Sequence, residues 1–351
     1  MVGMNLRFSP LEYKSSTKTF NFGGSNIVGG NSILPYMGKE RYLVESKSKS
    51  SNLFYKRLVD THGIDDDDIF TTVAAAHAAM TANQNDVLYA TPGQYNTEGD
   101  ATWSKSQTHL IGLGTHMSNW YGDGGDVSIR NLEATDAAYA VNITGSYCQF
   151  HGINFLNLGE NAACVSAVKD AGRSNHYFHC NFLGQIRSEQ AGTALSCCLW
   201  IDTTVTAAGH DLLLDHCYVG TSGGATRSAN NTLLLFGPTG IAAAGSNVTL
   251  RNTMFGTRSK VAGCSAIKFA ADYTVDRLFL IDNCVFYNFY DENDITSTLT
   301  EVINDDCATT HKILVKNSFM TGYAAWESVR SNVYLTQADA SGASGIATVE
   351  T

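Results

Sequence analysis

A short phrase of alternating apolar residues occurs six times between residues 148 and 323. Its copies occupy residues 150–155, 179–182, 212–219, 248–255, 279–286 and 313–320. Within a copy the apolar positions lie two residues apart, as Val248 and Leu250 do, so a strand has one inward and one outward face. A unit of one strand and one turn cannot bury its own apolar face, whereas stacked copies can. The repeat therefore predicts a solenoid of β-strands.

One position in the middle of the phrase fixes the register of the copies. It is occupied by Ile153, Cys180, Cys217, Thr253, Cys284 and Ser318, so five of the six residues are Cys, Thr or Ser. The separations of 27, 37, 36, 31 and 34 residues indicate coils with fixed strands and loops of variable length. Small residues stacked above one another suit a narrow bend, and we expect Cys217 to lie near Thr253 and Cys284.

The residues around this position predict how neighbouring coils contact one another. The preceding residue is Asn or His in five copies: His179, His216, Asn252, Asn283 and Asn317. We expect these side chains to point inward at a bend and to form a hydrogen-bonded ladder. The residue two positions further on would stack along the core: Phe155, Phe182, Val219, Phe255, Phe286 and Met320. The 179–182 copy fits least well, since Asn175 falls where an apolar residue is expected.

Apolar segments between the copies predict a second strand in each coil, at residues 140–143, 195–201, 233–236, 266–269 and 301–303. With these strands the chain resembles the right-handed parallel β-helix superfamily, the pectate-lyase-like fold. Residues 86–96 (DVLYATPGQYN) resemble the strand that opens many such domains, and residues 109–114 (HLIGLG) resemble the strand that follows. The resemblance implies an all-β fold and leaves the activity open, because unrelated activities share this scaffold.

A single helix is predicted just before these strands. Ile69, Val73, Ala76 and Met80 form one apolar stripe at helical spacing. The resemblance implies that this helix closes the N-terminal end of the coil stack.

Composition and charge favour one elongated all-β domain with an N-terminal piece. Charged residues make up 16% of the 351 residues, against an average of roughly 25%, and the chain has 32 Gly and 4 Pro. The net charge of −10 disfavours binding to nucleic acid or to anionic membranes, because there is no basic stripe to neutralise phosphates. We expect no signal peptide, because residues 1–10 contain no apolar core run, and no membrane span, because no stretch approaches about 20 apolar residues.

The nine cysteines predict where the protein is made. Three of them occupy equivalent inward positions, and no pair has the spacing of a zinc site, so we expect buried free thiols. Free thiols indicate assembly in a reducing cytoplasm.

The chain divides into three predicted parts: an N-terminal arm (residues 1–60), a β-helix body (61–323) and a C-terminal cap or tail (324–351). The arm is basic, with nine Lys and Arg against four Asp and Glu, whereas the remainder has 14 against 29. Apolar residues of the arm are expected to anchor the chain to a partner: Leu6, Phe8, Leu11, Tyr13, Phe20 and Phe22. We expect neighbouring subunits to order the arm and the tail.

Four groups of residues could carry chemistry, and each has a favoured structural alternative. Residues 65–68 (DDDD) could bind Ca²⁺ or favour the N-terminal end of a helix. Asp305-Asp306 resembles the carboxylates of β-helix glycoside hydrolases, but the Gly-His-Gly and Arg-x-Lys of those enzymes are missing. The acidic loop 291–294 could bind Ca²⁺, as coil-face acids do in lyases of this fold, but it is expected to be solvated. A ladder of three histidines could bind metal or sense pH, or could make structural hydrogen bonds: His151, His179 and His216. We therefore expect no catalytic residue, no metal and no cofactor.

Loop aromatics are the remaining candidates. Trp103, Trp120, Tyr121 and Tyr290 could stack on a glycan, and they could equally cover loops or fill a subunit interface.

These features favour a non-enzymatic structural protein with a β-helix body and an anchoring arm. The combination resembles phage virion β-helix proteins, which include tailspikes and trimeric capsid decorations. The resemblance implies a homotrimer, attached to a capsid or tail protein in a virion that is assembled in the host cytoplasm. The short chain favours capsid decoration or cement. Two alternatives remain: a tailspike-like polysaccharide depolymerase or lyase, and a glycan-binding receptor protein without turnover.

Overall fold

The computed structural model shows a right-handed parallel β-helix, so the predicted fold is confirmed. The structure describes residues 12–14, 19–21, 38–97, 101–114, 126–132, 136–193, 196–202, 208–220, 231–237, 243–259, 261–271, 273–288, 299–307, 312–328 and 332–336. Three sheets of eleven, eight and seven parallel strands form the three faces of the coil stack.

The strands of each sheet are given in hydrogen-bonded order. The eleven-stranded sheet consists of Ile69–Phe70, Glu40–Leu43, Asp86–Ala90, Thr108–Gly112, Gln149–His151, His176–Phe178, Leu213–Asp215, Val248–Arg251, Phe279–Asp282, Ile313–Lys316 and Val333–Leu335. The eight-stranded sheet consists of Gly93–Thr97, Val127–Asn131, Ile153–Asn157, Asn181–Leu183, Tyr218–Gly220, Met254–Thr257, Val285–Asn288 and Phe319–Thr321. The seven-stranded sheet consists of Ala101–Trp103, Tyr139–Ile143, Ser166–Asp170, Leu199–Ile201, Thr232–Phe236, Ser265–Phe269 and Ile303–Asp305.

Smaller elements lie outside the three large sheets. Three two-stranded sheets pair Glu12–Lys14 with Thr19–Asn21, Ala243–Gly245 with Tyr273–Val275, and Leu299–Glu301 with Tyr323–Ala325. The described α-helices are Leu53–Asp60, Val73–Ala79 and Ser188–Ala191, and Asp66–Asp68 forms a 3₁₀ turn.

Each copy of the repeated phrase supplies two strands and the bend between them. In the copy at 248–255, Val248–Arg251 lies in the eleven-stranded sheet, and Met254–Thr257 lies in the eight-stranded sheet. The bend is made by one residue in the left-handed conformation, with φ between 50° and 54° at His179, His216, Asn252, Asn283 and Asn317. Asn tolerates this conformation better than most residues do, which accounts for its recurrence.

The expectation that these bend residues point inward was wrong. The left-handed backbone turns their side chains to the outside of the coil, where Asn283 and Asn317 are exposed. A ladder nevertheless forms there, since Asn283 Nδ2 donates to Asn252 Oδ1 (2.8 Å) and Asn317 Nδ2 donates to Asp282 Oδ1 (3.2 Å). A buried amide contact instead lies at the next bend, where Asn131 Nδ2 donates to Asn157 Oδ1 (2.9 Å).

The stacking of equivalent residues through the core is confirmed. Cys217 N donates to Thr253 Oγ1 (3.3 Å), and Cys284 N donates to Ser318 Oγ (3.0 Å), so the small residues lie above one another. Ring centroids of Phe255 and Phe286 are 4.6 Å apart and nearly parallel. Such stacked rings contribute about 0.5–1.5 kcal/mol beyond the burial of their area.

The ends of the stack differ from the predicted boundaries. Val73, Ala76 and Met80 are buried against the first coil, but the helix is limited to Val73–Ala79, and Ile69 belongs to a strand. Residues 38–60, assigned to the arm from the sequence, are part of the body, since Glu40–Leu43 pairs with Asp86–Ala90. Likewise Val333–Leu335, assigned to the tail, adds a strand to the last coil.

Candidate functional site

The outer face of the seven-stranded sheet carries a cluster of charged and aromatic side chains. A bulge recurs along this sheet, because two successive amides share one carbonyl: Ala167 and Val168 both donate to Cys198 O (3.1 and 3.4 Å). Bulges are frequent next to functional sites, where they redirect side chains. Lys169 follows this bulge and lies beside Trp200 in the next coil.

We name Tyr139, Lys169, Trp200 and Asp202 the Lys169 cluster. Lys169 Nζ lies 2.6 Å from Asp202 Oδ2, 5.0 Å from the ring centroid of Trp200 and 5.3 Å from that of Tyr139. The two aromatic rings meet edge to face with centroids 6.3 Å apart. Three consecutive coils thus contribute to one site.

The electrostatics of the cluster favour a permanent cation. Burial alone would lower the pKa of Lys169, but the hydrogen bond and the negative charge of Asp202 raise it above its usual value. Lys169 therefore stays protonated and is unsuited to acting as a general base. Half-buried aromatic rings beside polar groups are suited to a ligand that has both an apolar face and hydroxyl groups, such as a sugar.

The same face continues through a second ion pair. Lys268 Nζ lies 2.9 Å from Asp306 Oδ2. Asp305 instead points into the coil, where its Oδ1 accepts from Cys307 N (3.0 Å) and its Oδ2 accepts from Asn332 Nδ2 (2.6 Å). Asp305 and Asp306 thus lie on opposite sides of the coil wall and cannot flank one glycosidic bond, as a glycosidase pair must. The other acidic loop, 291–294, lies outside the described residues.

The three histidines considered from the sequence lie on or beside the outer face of the eleven-stranded sheet. The His151 ring stacks on Phe178 (4.5 Å between centroids), and the His179 ring lies 4.9 Å from that of His216. His216 Nδ1 contacts Asp215 Oδ1 at 2.8 Å. Burial lowers the pKa of His151 to about 3 and also lowers the pKa of His179, which favours neutral rings. Among the described residues no three potential ligands come together in a metal site.

The acidic run 65–68 has structural contacts of its own. Asp65 Oδ1 accepts from Asp67 N (3.1 Å) and caps the 3₁₀ turn. Asp66 accepts from Tyr55 Oη (2.9 Å), and Asp68 forms an ion pair with Lys39. The tyrosine hydrogen bond, followed by that of Lys47, lowers the pKa of Asp66.

The candidate glycan contacts do not form the site that was expected. Trp103 is 1% exposed and packs against His77 and Phe150 in the core, so it is removed from the candidate glycan contacts. Trp120, Tyr121 and Tyr290 lie outside the described residues. The Lys169 cluster was missed in the sequence, although a Trp inside a strand, next to inward-facing Leu199 and Ile201, signals an outward aromatic ring.

The anchoring residues are described only in part. Tyr13 and Phe20 are register partners in the antiparallel pair formed by Glu12–Lys14 and Thr19–Asn21. Leu6, Phe8, Leu11 and Phe22 lie outside the described residues. In the described part of the chain, no helix is long and apolar enough to cross a membrane.

Comparisons with known proteins concern the fold. No protein-family model and no curated protein matches the chain. Among solved structures, a pectin methylesterase variant in complex with a hexasaccharide is 13% identical, with a TM-score of 0.43 over 89% of this chain and 97% of that chain. The pectin methylesterase PemA from Erwinia chrysanthemi is 12% identical (TM-score 0.44; 82% and 80% covered). ORF18 of Geobacillus virus E2 is 11% identical (TM-score 0.45; 93% and 68% covered). Likenesses this distant say nothing about activity.

Proposed function

We propose that this chain is a non-enzymatic structural protein of a phage virion, a decoration or cement protein on the capsid that is anchored by its N-terminal segment. The observation that carries the proposal is the separate N-terminal hairpin. Within the described residues, Glu12–Lys14 and Thr19–Asn21 pair with each other and with no strand of the three large sheets. A hairpin that belongs to none of the large sheets is suited to docking on a partner protein, and residues 1–37, which precede the body, contain three Lys and Arg against one Glu, which suits an acidic groove.

The body is suited to a mechanical role. Consecutive coils are joined by parallel backbone ladders along all three faces, and aromatic rings stack along the interior. All nine cysteines are buried free thiols, which agrees with assembly in a reducing cytoplasm. We propose a homotrimer whose acidic bodies stand outward from the virion surface.

The test is binding to particles that lack the protein. We propose deleting residues 1–37, because residues 38–60 belong to the first coil. The deletion variant should keep the thermal unfolding midpoint of the intact chain and lose co-sedimentation with capsids or tails purified from phage in which the gene is deleted. Which particle binds the intact chain distinguishes a capsid protein from a tail protein.

Point variants sharpen this test. Tyr13→Ser combined with Phe20→Ser should weaken particle binding at least tenfold. Tyr334→Ser, at an aromatic residue that is 48% exposed on the body, should leave binding unchanged. Full binding by the deletion variant would refute anchoring by the N-terminal segment.

A second candidate function, glycan binding without turnover, is favoured by the Lys169 cluster. Trp200→Ala removes one of the two rings at the Lys169 ammonium and should abolish binding on a glycan array, whereas Tyr334→Ala should not. Release of reducing sugar from a bound surface polysaccharide would instead favour a depolymerase or lyase. Loss of that release on Asp306→Asn would assign its carboxylate to the reaction.

A further inference from the structure

In the described strands, one of the three outer faces carries no charged side chain over four consecutive coils. The strands concerned run from Tyr218–Gly220 to Phe319–Thr321 in the eight-stranded sheet. Their outward positions are Tyr218, Gly220, Met254, Gly256, Val285, Tyr287, Phe319 and Thr321, and we call this surface the dry face. None of these residues is Asp, Glu, Lys, Arg or His.

The two other faces of the body carry ion pairs. On the eleven-stranded sheet, Arg251 lies 2.7 Å from Asp215 and Lys316 lies 3.4 Å from Asp282. The seven-stranded sheet bears the Lys169 cluster and the pair between Lys268 and Asp306. Association through either of these faces would require charged groups to lose water, which is unfavourable.

The dry face has an apolar ridge beside a floor of glycine. The ridge consists of one residue from each coil, namely Tyr218, Met254, Val285 and Phe319, and adjacent coils are about 4.8 Å apart. Met254 is 40% exposed, which is high for a large apolar side chain within a strand.

The rings of two tyrosines, one of which belongs to the ridge, lie over the glycines. The hydroxyl oxygens of Tyr218 and Tyr287 are 3.5 Å apart. A Cβ at Gly256 would lie 2.5 and 2.7 Å from these oxygens, so a larger residue there would have to displace both tyrosine side chains. Towards the N-terminal coils the face continues into a buried apolar cluster of Leu156, Leu158 and Leu183.

We infer that the dry face is the surface through which a second copy of this chain binds. The net charge of −10 makes copies of the chain repel one another, and the repulsion at contact is smallest where two uncharged faces meet. Burial of the ridge then supplies the attraction, at roughly 25 cal/mol for each Å² of apolar surface removed from water. The inference names the surface that would form the proposed homotrimer, and it does not depend on anchoring by the N-terminal segment.

The test places one negative charge on the ridge. Met254→Glu and, separately, Phe319→Glu would bury a carboxylate at the contact and should raise the dissociation constant of the oligomer by roughly 100-fold or more. Leu278→Glu is the matched control, because Leu278 is 41% exposed but precedes a strand of the eleven-stranded sheet. It adds the same charge and should leave the dissociation constant unchanged.

The masses are measured by sedimentation equilibrium on the full-length chain, over a range of concentrations and at fixed ionic strength. Circular dichroism and the unfolding midpoint verify that each variant is folded. An unaltered chain that sediments as a monomer at concentrations of about 100 μM, corresponding to weak association, would overturn the inference. So would an oligomer that survives both ridge substitutions or dissociates equally in the control. Particle binding is measured separately, so a wrong assignment of the dry face can be distinguished from a wrong assignment of the anchoring segment.

Discussion

Asp170 is a buried carboxylate inside the coil stack, and its ionisation should shape the stability of the protein. Its Oδ1 accepts from Gly172 N (2.8 Å) and Asn175 Nδ2 (2.9 Å), and its Oδ2 accepts from Tyr177 Oη (2.7 Å). These contacts explain the polar Asn175 in the least regular copy of the repeat. Burial raises the pKa of Asp170 from 3.8 to about 6, although the three hydrogen bonds act in the opposite direction.

The size of the effect on stability follows from the difference between the pKa of Asp170 in the folded protein and its pKa in the unfolded chain. Between pH 3.8 and about 6 the folded protein binds more protons at Asp170 than the unfolded chain does. The contribution of Asp170 to the free energy of unfolding therefore falls as the pH rises through this window. At about 1.4 kcal/mol for each pH unit, the loss is roughly 3 kcal/mol.

The variant Asp170→Asn isolates this effect. The amide keeps the shape of the side chain and the oxygen that accepts from Gly172 and Asn175, and the Tyr177 hydroxyl can rotate to accept from the new NH₂ group. The free energy of unfolding of the variant, relative to that of the unaltered chain, should rise by roughly 2–2.5 kcal/mol between pH 4 and pH 7, because the unfolded carboxyl is already more than half ionised at pH 4.

Urea unfolding followed by circular dichroism measures this difference at several pH values and constant ionic strength. Asp211→Asn, at an exposed residue, controls for the loss of one negative charge. A difference that stays constant with pH, or that falls as the pH rises, would refute the assignment of a raised pKa to Asp170.

Three further predictions concern other parts of the stack. Gly256→Ala should destabilise the fold by about 1–2 kcal/mol, measured by urea unfolding, because its Cβ displaces two tyrosine side chains; a neutral effect would contradict the close contact. Arg41→Met should destabilise by about 3 kcal/mol or more in the same assay, because it leaves Asp86 buried without its ion-pair partner, whereas an effect below 1 kcal/mol would count against a buried pair. Acidification from pH 6.5 towards 4 should cost about 3 kcal/mol at each of His77 and His109, because burial holds both pKa values at about 4 in the folded state; His109→Gln should flatten the measured pH profile, and an unchanged profile would argue against this.

The fold could be predicted because the repeat encodes both the period of the strands and the register of the coils. Alternation over two residues separated inward from outward positions, and the small residues at Cys217, Thr253 and Cys284 aligned the copies. Both signals lie within short stretches of sequence. Because each coil packs on the next in the same way, no further long-range contact has to be known to predict the stack.

Other features could not be read from the sequence because they depend on backbone direction or on loop length. Asn283 looked like an inward ladder residue, but a left-handed bend turns its side chain outward. The strand Ser166–Asp170 was not predicted, because it contains Lys169 and only a short apolar run. The Lys169 cluster joins Tyr139, Lys169 and Trp200 from three coils, and loops of unequal length conceal which residues become neighbours.

The buried thiols could report which part of the coil stack unfolds first. Cysteines are distributed from Cys148 to Cys307, and all are buried. Burial raises the pKa of Cys180 and Cys284 to about 12, which suppresses the reactive thiolate in the closed stack. An alkylating reagent would consequently modify each cysteine only after the coil that contains it has unfolded. Peptide mapping over time would then distinguish unfolding that begins at the ends of the stack from unfolding that begins in the middle.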